Sequence, residues 1–229
     1  FYYQKELWEL EVRLLYMQRD NHMNLSLVII THDIDEILVL KSITSKTLRS
    51  FIDEMIIVNT GKRTYNLKIP KTPKTKIYNK EFDNYFPDIK NYALTRARGD
   101  WILTIDTDEI LENKLLRQIP DLIKNNNVDG YWFRRKTFIN KERKYLRYGL
   151  FYPDWQLRLF RRKGEYRYSG GVHALLPIPR TKTEEVSLDI LHFPSIPKYE
   201  SFMNYRNLMP YISMDAEEFL KRDYSISGF

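Results

Sequence analysis

Apolar positions in the first half of the chain fall into short, near-continuous runs separated by polar stretches of helix length. Leu25-Ser26-Leu27-Val28-Ile29-Ile30 is one such run, and it ends in Thr31-His32-Asp33. A strand buried on both faces looks like this, because neither alternate set of side chains meets water. Met55-Ile56-Ile57-Val58 is a second run, ending in Asn59-Thr60-Gly61. Trp101-Ile102-Leu103-Thr104-Ile105 is a third, bounded by Gly99 and Asp100, and it leads into Asp106-Thr107-Asp108-Glu109. A weaker strand is expected over 65–69, and the basic, proline-punctuated stretch 68–80 reads as a loop or an edge. Between the runs, 34–51 reads as a helix and 89–98 as a short helix that Gly99 would close. Ahead of them, Leu7, Leu10, Leu14, Leu15 and Met17 repeat at helical spacing among charges. They predict an amphipathic helix over 5–19, packed on the flank of the domain or offered to a membrane or partner.

The second half is more irregular. Residues 111–126 predict a helix that Pro120 should kink or split. Residues 128–139, 144–148 and 187–193 are strand-like, and 198–221 reads as a closing helical region broken near Pro210. Strands that alternate with helices predict an α/β fold with a mostly parallel central sheet and right-handed crossovers. The later strands predict a smaller mixed or antiparallel part. The chain is read as one domain over 1–229: an N-terminal helix in 1–22, one half in 24–127, and a second half with C-terminal helices in 128–229.

In an open α/β sheet, ligands bind outside the carboxyl ends of the strands. The clusters 31–33, 59–61 and 106–109 would therefore lie along one edge, which is the layout of a nucleotide site. Asp106 and Asp108 admit two readings. Alternate residues of an extended chain point the same way, so the two carboxylates can converge on a hard cation such as Mg²⁺ or Mn²⁺ beside a diphosphate. They can equally be acids at the N-terminus of the next helix. The basic residues from Arg134 to Arg147 read as a solvated strand pair or as a wall facing an anionic acceptor. The aromatics Tyr145, Tyr148, Phe151, Tyr152, Trp155, Tyr166 and Tyr168 can platform sugar rings or simply pack.

Composition narrows the partners. The 229 residues carry a formal charge of +7, so an anionic partner is expected: a nucleotide, a phosphorylated glycan, a membrane surface or nucleic acid. There is no cysteine, hence neither a disulfide framework nor a cysteine zinc site, and a cytoplasmic address is expected. No apolar run reaches the roughly 18 residues that a membrane span needs. The first residues, from Phe1, show no signal-peptide pattern and no initiator methionine, so a trimmed or excised chain is expected. No helix-turn-helix, zinc finger or RNA-binding signature accompanies the basicity, which ranks nucleic acid last. A nucleotidyltransferase would bring a glycine-rich phosphate loop near the first strand, and none is present.

With these pieces placed, the chain resembles the family 2 glycosyltransferases, which have the GT-A fold. It looks closest to small members that modify lipopolysaccharide cores or peptides. The matching stretches are LSLVIITHD (25–33), DEMIIVNTG (53–61), KNYALTRARGDWILTIDTDE (90–109), WQLRLFRRKGEYRYSGGVHALL (155–176) and LHFPS (191–195). The resemblance implies metal-dependent, inverting transfer from a nucleotide-sugar donor, with a UDP-sugar the first candidate. The acceptor would be a glycan, a lipid-linked glycan or a peptide, and a peripheral membrane contact is compatible with it. It implies that Thr31 and Asp33 line the nucleotide pocket and that Asn59 stands where an aspartate usually reads the base. Lys90-Asn91 stand where arginine-asparagine is usual, near the nucleotide or diphosphate. Asp106 would reach the ribose or the metal, Asp108 the metal, and His192 is a third ligand or a histidine merely hydrogen-bonded in its strand. Arg158 would pair with a phosphate or with an acid of the fold. Relatives commonly read Val-His-Glu where this chain reads Val172-His173-Ala174. The base is therefore sought in Asp154, otherwise a turn acid after Pro153, and in His173. The departures at Asn59, Lys90 and Ala174 keep open a second reading, a catalytically impaired nucleotide-sugar-binding module that supports a partner.

Overall fold

The computed structural model describes residues 23–32, 46–61, 75–138, 145, 152–171 and 174–194. The elements are β1 (Leu25–Thr31), α1 (Lys46–Phe51), β2 (Glu54–Asn59), β3 (Thr75–Asn79), α2 (Phe86–Arg96), β4 (Trp101–Asp106), β5 (Glu109–Leu111), α3 (Asn113–Leu122), β6 (Gly130–Thr137), β7 (Asp154–Arg161) and β8 (Thr183–His192). The helix expected over 5–19, the strand over 65–69 and the helical region over 198–221 lie outside the described residues, as do Asp33 and His173. So do most of the helix expected over 34–51, of which α1 is the end, and all of the 144–148 strand except Tyr145.

Eight strands form one sheet in the order β3-β2-β1-β4-β7-β6-β8-β5. The first four run parallel, β7 is antiparallel to both of its neighbours, β6 and β8 are parallel, and β5 is antiparallel to β8. The expected parallel core and mixed second half are thus one continuous sheet.

The apolar runs form strands because both faces of each are covered. Leu25, Leu27, Ile29, Met55, Ile57, Trp101, Leu103 and Ile105 join one buried cluster, under Leu48 and Phe51 of α1 and Leu115, Leu116 and Ile119 of α3. The residues between them, Val28, Ile56, Val58 and Ile102, join a second cluster under Ile89, Ala93 and Leu94 of α2. Each of the larger side chains among them contributes about 1.5–3 kcal/mol on withdrawal from water. The alternation is therefore geometric although the sequence shows none.

Of the two readings of 68–80, a loop or an edge, its described part takes the second: β3 is the edge strand beside β2. Three local expectations change. Gly99 does not cap α2, whose C-cap is Ala97. A Cβ at Gly99 would stand 2.6 Å from the Ser26 nitrogen, so glycine is there to let the chain pass against β1. Pro120 does not split α3; it lies within the helix near its end, the one backbone bond its missing N–H would make is lost, and the ladder resumes with the Ile123 N–H on the Ile119 carbonyl at 3.1 Å. Finally, Glu109–Leu111 form a short strand, and α3 begins only at Asn113 with Glu112 as its N-cap. Asp106 and Asp108 are therefore not acids at the start of a helix. Among the described residues no helix is long and apolar enough to cross a membrane.

Candidate functional site

Strand directions decide which residues meet. β1, β2, β3 and β4 end on the same edge, where Thr31 pairs with Asn59, Asn59 with Asn79 and Ile30 with Asp106. Because β7 runs the opposite way, it starts at that edge with Asp154, opposite Arg135 of β6. β6 and β8 end there with Thr137 beside His192, and β5 starts there with Glu109 opposite His192. Every strand of the sheet thus brings a residue to this one edge.

On the β1–β2 side, the backbone turn after β2 is sewn to the end of β1. Thr60 donates its N–H to the Thr31 carbonyl at 2.8 Å, and its hydroxyl donates to the same oxygen at 3.1 Å. Asn59 is 1% exposed; its Oδ1 accepts the Gly61 N–H at 3.1 Å and its Nδ2 donates to Asn79 Oδ1 at 3.1 Å. A Cβ at Gly61 would lie 1.9 Å from the His32 carbonyl oxygen, so only glycine allows the turn to close this tightly. Thr31 and Asn59 are brought together as expected, with the Asn59 amide bracing the turn.

The centre of the edge is a chain of charges. Arg158, on β7, is buried, and its Nη2 donates both to Asp106 Oδ2 and, at 2.6 Å, to Glu109 Oε1. Glu109, fully buried, also accepts the backbone N–H of Asp106 through Oε2 at 3.1 Å. Arg135 Nη1 approaches Glu109 at 3.7 Å, and Arg135 grips Asp154 through Nε and Nη2 at 2.8 and 2.7 Å. Gln156 donates to the other Asp154 oxygen at 2.7 Å. Arg158 thus pairs with two acids of the fold. The basic run of β6 is neither a solvated face nor an open wall in its described part, since Arg134 and Lys136 both pair with the buried Asp189 at 2.8 and 2.5 Å.

Burial and charge work against each other in this chain. Burial would raise the Asp106 carboxyl, but Arg158, Lys90 and Arg135 outweigh it and hold the group below the usual range. Its side chain nonetheless keeps 52% of its surface open. Burial pushes Glu109 up, and the neighbouring Asp106 adds to this; Arg158 opposes without reversing it. Burial disfavours the Arg158 charge, yet Asp106 and Glu109 overcome this and hold the guanidinium above its ordinary value. Lys90, on α2, is lowered by burial, which Asp106 offsets only in part. Its ammonium sits 5.0 Å above the Tyr168 ring, whose hydroxyl is pushed up to about 12 by burial. Asn91 fixes that tyrosine by exchanging two hydrogen bonds of 2.8 Å with its backbone. Lys90, Asp106, Arg158 and Tyr168 line one small cavity with Val28 and Ile30.

Asp108 lies in the turn between β4 and β5 and faces His192, with Oδ2 3.4 Å from Nε2. Thr137 Oγ1 holds the other ring nitrogen, Nδ1, at 3.0 Å. The Asp108 carbonyl accepts the Phe193 N–H at 2.8 Å, which ties the turn to the end of β8. Donor atoms sharing one small hard ion stand roughly 3 Å apart, and a ligating histidine is normally oriented through its second nitrogen. The pair fits a cation on both counts, but no group of three or more acidic or histidine side chains among the described residues is arranged to hold one. Asp106 is directed to Arg158 instead.

Thr137 enters the site without having been singled out by sequence; the sequence marks Glu109, Arg135 and Tyr168 only as members of the acidic cluster, the basic run and the aromatics, with no individual role. Two signals were present. Glu109 is the acid that directly adjoins the apolar pair Ile110-Leu111, and Arg135 and Thr137 share the parity of the buried Tyr131 and Phe133.

The sequence profile described as glycosyl transferase family 2 matches residues 26–177. A TPR repeat-containing protein of Synechococcus elongatus is 25% identical over 130 residues, 57% of this chain and 30% of the relative. An uncharacterized glycosyltransferase of Rickettsia typhi is 30% identical over 107 residues, 47% of this chain and 35% of the relative. The chain therefore spans only about a third of the length of the curated relatives it matches. Among solved structures, S. aureus TarS residues 1–349 superposes with a TM-score of 0.52 at 13% identity, covering 90% of this chain and 73% of that one. The same TarS fragment in complex with UDP-GlcNAc gives 0.51 at 12% identity, over 90% and 74%. At these identities the likeness speaks for the fold, while the profile covers most of the chain and every strand of the site edge up to β7: the chain belongs to glycosyl transferase family 2.

Proposed function

We propose that this chain is the donor-binding and transfer unit of a metal-dependent glycosyltransferase that moves a sugar from a UDP-sugar to an acceptor hydroxyl with inversion. One observation carries the reading: Thr31, Asn59, the Asp106–Asp108 stretch and His192 come from four separate segments and meet on one sheet edge. The UDP complexes of the similar TarS fold support the choice of donor.

In this reading Thr31 and the braced turn at Asn59 receive the nucleoside. Lys90 presents its cation to the diphosphate, and Asp106, held still by Arg158, accepts hydrogen bonds from donor hydroxyls. Asp108 and His192 would hold Mn²⁺ or Mg²⁺, with donor phosphate oxygens and water completing the shell, as is usual for ions bound by few protein groups. Such an ion supplies charge neutralisation on the departing diphosphate. Asp154, fixed by Arg135 and Gln156 at the same edge, is the carboxylate assigned to the acceptor proton, with His173 the second candidate.

The test is hydrolysis of a UDP-sugar panel with and without Mn²⁺. The reading expects metal-dependent release of UDP that Asp108→Ala abolishes; no release with any donor or metal overturns it. A second reading rests on Ala174, 8% exposed where the resemblance places a glutamate. It expects calorimetric binding of UDP without turnover, and gain of turnover in Ala174→Glu.

A further inference from the structure

The strands β6 and β8 carry a patch of rings that neither core uses. Phe138 and Phe193 stack at 4.8 Å between centroids and 12° between planes. Tyr145 meets Phe138 edge-on at 6.0 Å and Tyr152 at 5.6 Å. All four are half-buried, and among the described residues none belongs to, or packs against, either apolar cluster.

Their position is set by the site. Phe138 and Phe193 directly follow Thr137 and His192, the paired last residues of β6 and β8. The Phe138 N–H donates to the His192 carbonyl at 2.9 Å and the Phe193 N–H to the Asp108 carbonyl at 2.8 Å. The rings are thus one residue away from the Asp108–His192 pair. The two tyrosines are already occupied. Lys136 lies 5.1 Å from the Tyr145 centroid and 5.7 Å from that of Tyr152, Arg134 lies 5.6 Å from Tyr152, and the Tyr152 hydroxyl donates to Asp189 at 3.0 Å. That leaves the phenylalanine pair, which has no polar atoms, as the apolar face of the patch. The C–H face of a pyranose is the natural complement of such a ring pair, and its hydroxyls can reach the polar groups around it.

We infer that Phe138 and Phe193, buttressed by Tyr145 and Tyr152, form an acceptor subsite that stacks a sugar ring of a glycan beside the Asp108–His192 pair. This rests on the proposed transfer function and narrows its acceptor to a carbohydrate rather than a peptide hydroxyl.

The experiment uses saturation-transfer difference NMR on the full chain with UDP and Mn²⁺ present. The probes are the methyl pyranosides of glucose, galactose and N-acetylglucosamine, together with a serine-containing peptide. The expected result is saturation of pyranoside ring protons that falls at least fivefold in Phe193→Ala and is retained by Phe193→Tyr, which keeps an aromatic face. UDP affinity, measured by calorimetry on the same proteins, should stay within twofold. Phe138→Ala serves if Phe193→Ala does not fold, with melting curves as the check. UDP binding without pyranoside signal, a pyranoside signal indifferent to both substitutions, or a signal from the peptide alone overturns the subsite and leaves the donor reading standing. Absence of UDP binding overturns the donor reading itself.

Discussion

Arg158 Nη2 lies 2.6 Å from Glu109 Oε1, with the two side chains 9% and 0% exposed. This pair joins β7 to β5, across strands that are not adjacent in the sheet, and it steers the Asp106 carboxylate and backbone at once. A buried pair is a weak source of net stability, but removal of one member of an isolated pair leaves the other charged and unmatched, at about 3–5 kcal/mol; Arg158 here keeps Asp106 as a second partner, which puts the loss at the low end of that range. Glu109→Ala should therefore lower the denaturation free energy by about that amount. Glu109→Gln, whose one side-chain oxygen can still accept from Arg158 while the bond from the Asp106 N–H is lost, should cost less than alanine. Urea midpoints for the two variants measure this; equal losses would mean that the charge contributes nothing.

The acid limb of stability should be governed by the lowered carboxylates. Asp129 accepts from Lys163 at 2.7 Å and from the Tyr166 hydroxyl at 2.6 Å; although burial would raise its carboxyl, these partners hold it low. A carboxyl lowered on folding binds fewer protons in the folded than in the unfolded state near its ordinary value of 3.8. Its contribution is present above that pH and is lost as pH falls through the folded value. Asp129→Asn should flatten the dependence of the urea midpoint on pH between about 5 and 2, while Asn cannot replace the charge at neutral pH.

Lys90 predicts a different pH window. Burial lowers its ammonium, so its positive charge is lost below the usual 10.5. UDP affinity should decline on the alkaline side before an ordinary lysine would titrate, and Lys90→Arg should remove that decline. Lys90→Ala should weaken UDP about tenfold to a hundredfold, the range of one charge-assisted hydrogen bond. Calorimetry from pH 7 to 10 separates the three proteins.

Metal and nucleotide should stabilise one another. UDP at a hundred times its dissociation constant raises stability by about 2.7 kcal/mol. With EDTA present, or in His192→Ala, the same UDP concentration should give a much smaller rise in melting temperature. An unchanged rise would place the cation elsewhere or remove it from the scheme.

Gly61→Ala tests the turn itself. The added methyl would stand 1.9 Å from a backbone oxygen, which no side-chain rotation relieves. A loss of about 1–3 kcal/mol is expected, together with weaker UDP binding, because Asn59 and Thr60 shift with the turn. Gly164, where an added methyl would meet nothing within 4 Å, is the control and should tolerate alanine with little change.

Periodicity and composition alone located β1, β2 and β4 to within a residue at each end, because strands covered on both faces need apolar residues at every position. The same patterns placed three polar clusters at strand ends, and parallel strands can only gather such clusters on one edge. What the sequence could not decide was partnership. Whether Arg158 meets a phosphate or a carboxylate depends on β7 running antiparallel beside β4, a pairing set by contacts more than 50 residues apart. Likewise, Asp106 and Asp108 look like one motif, yet the turn between β4 and β5 sends the first to Arg158 and the second to His192. Local preference acts over a few residues and fixes elements. Charge pairing acts across the sheet, and only the order of the strands determines which charges become neighbours.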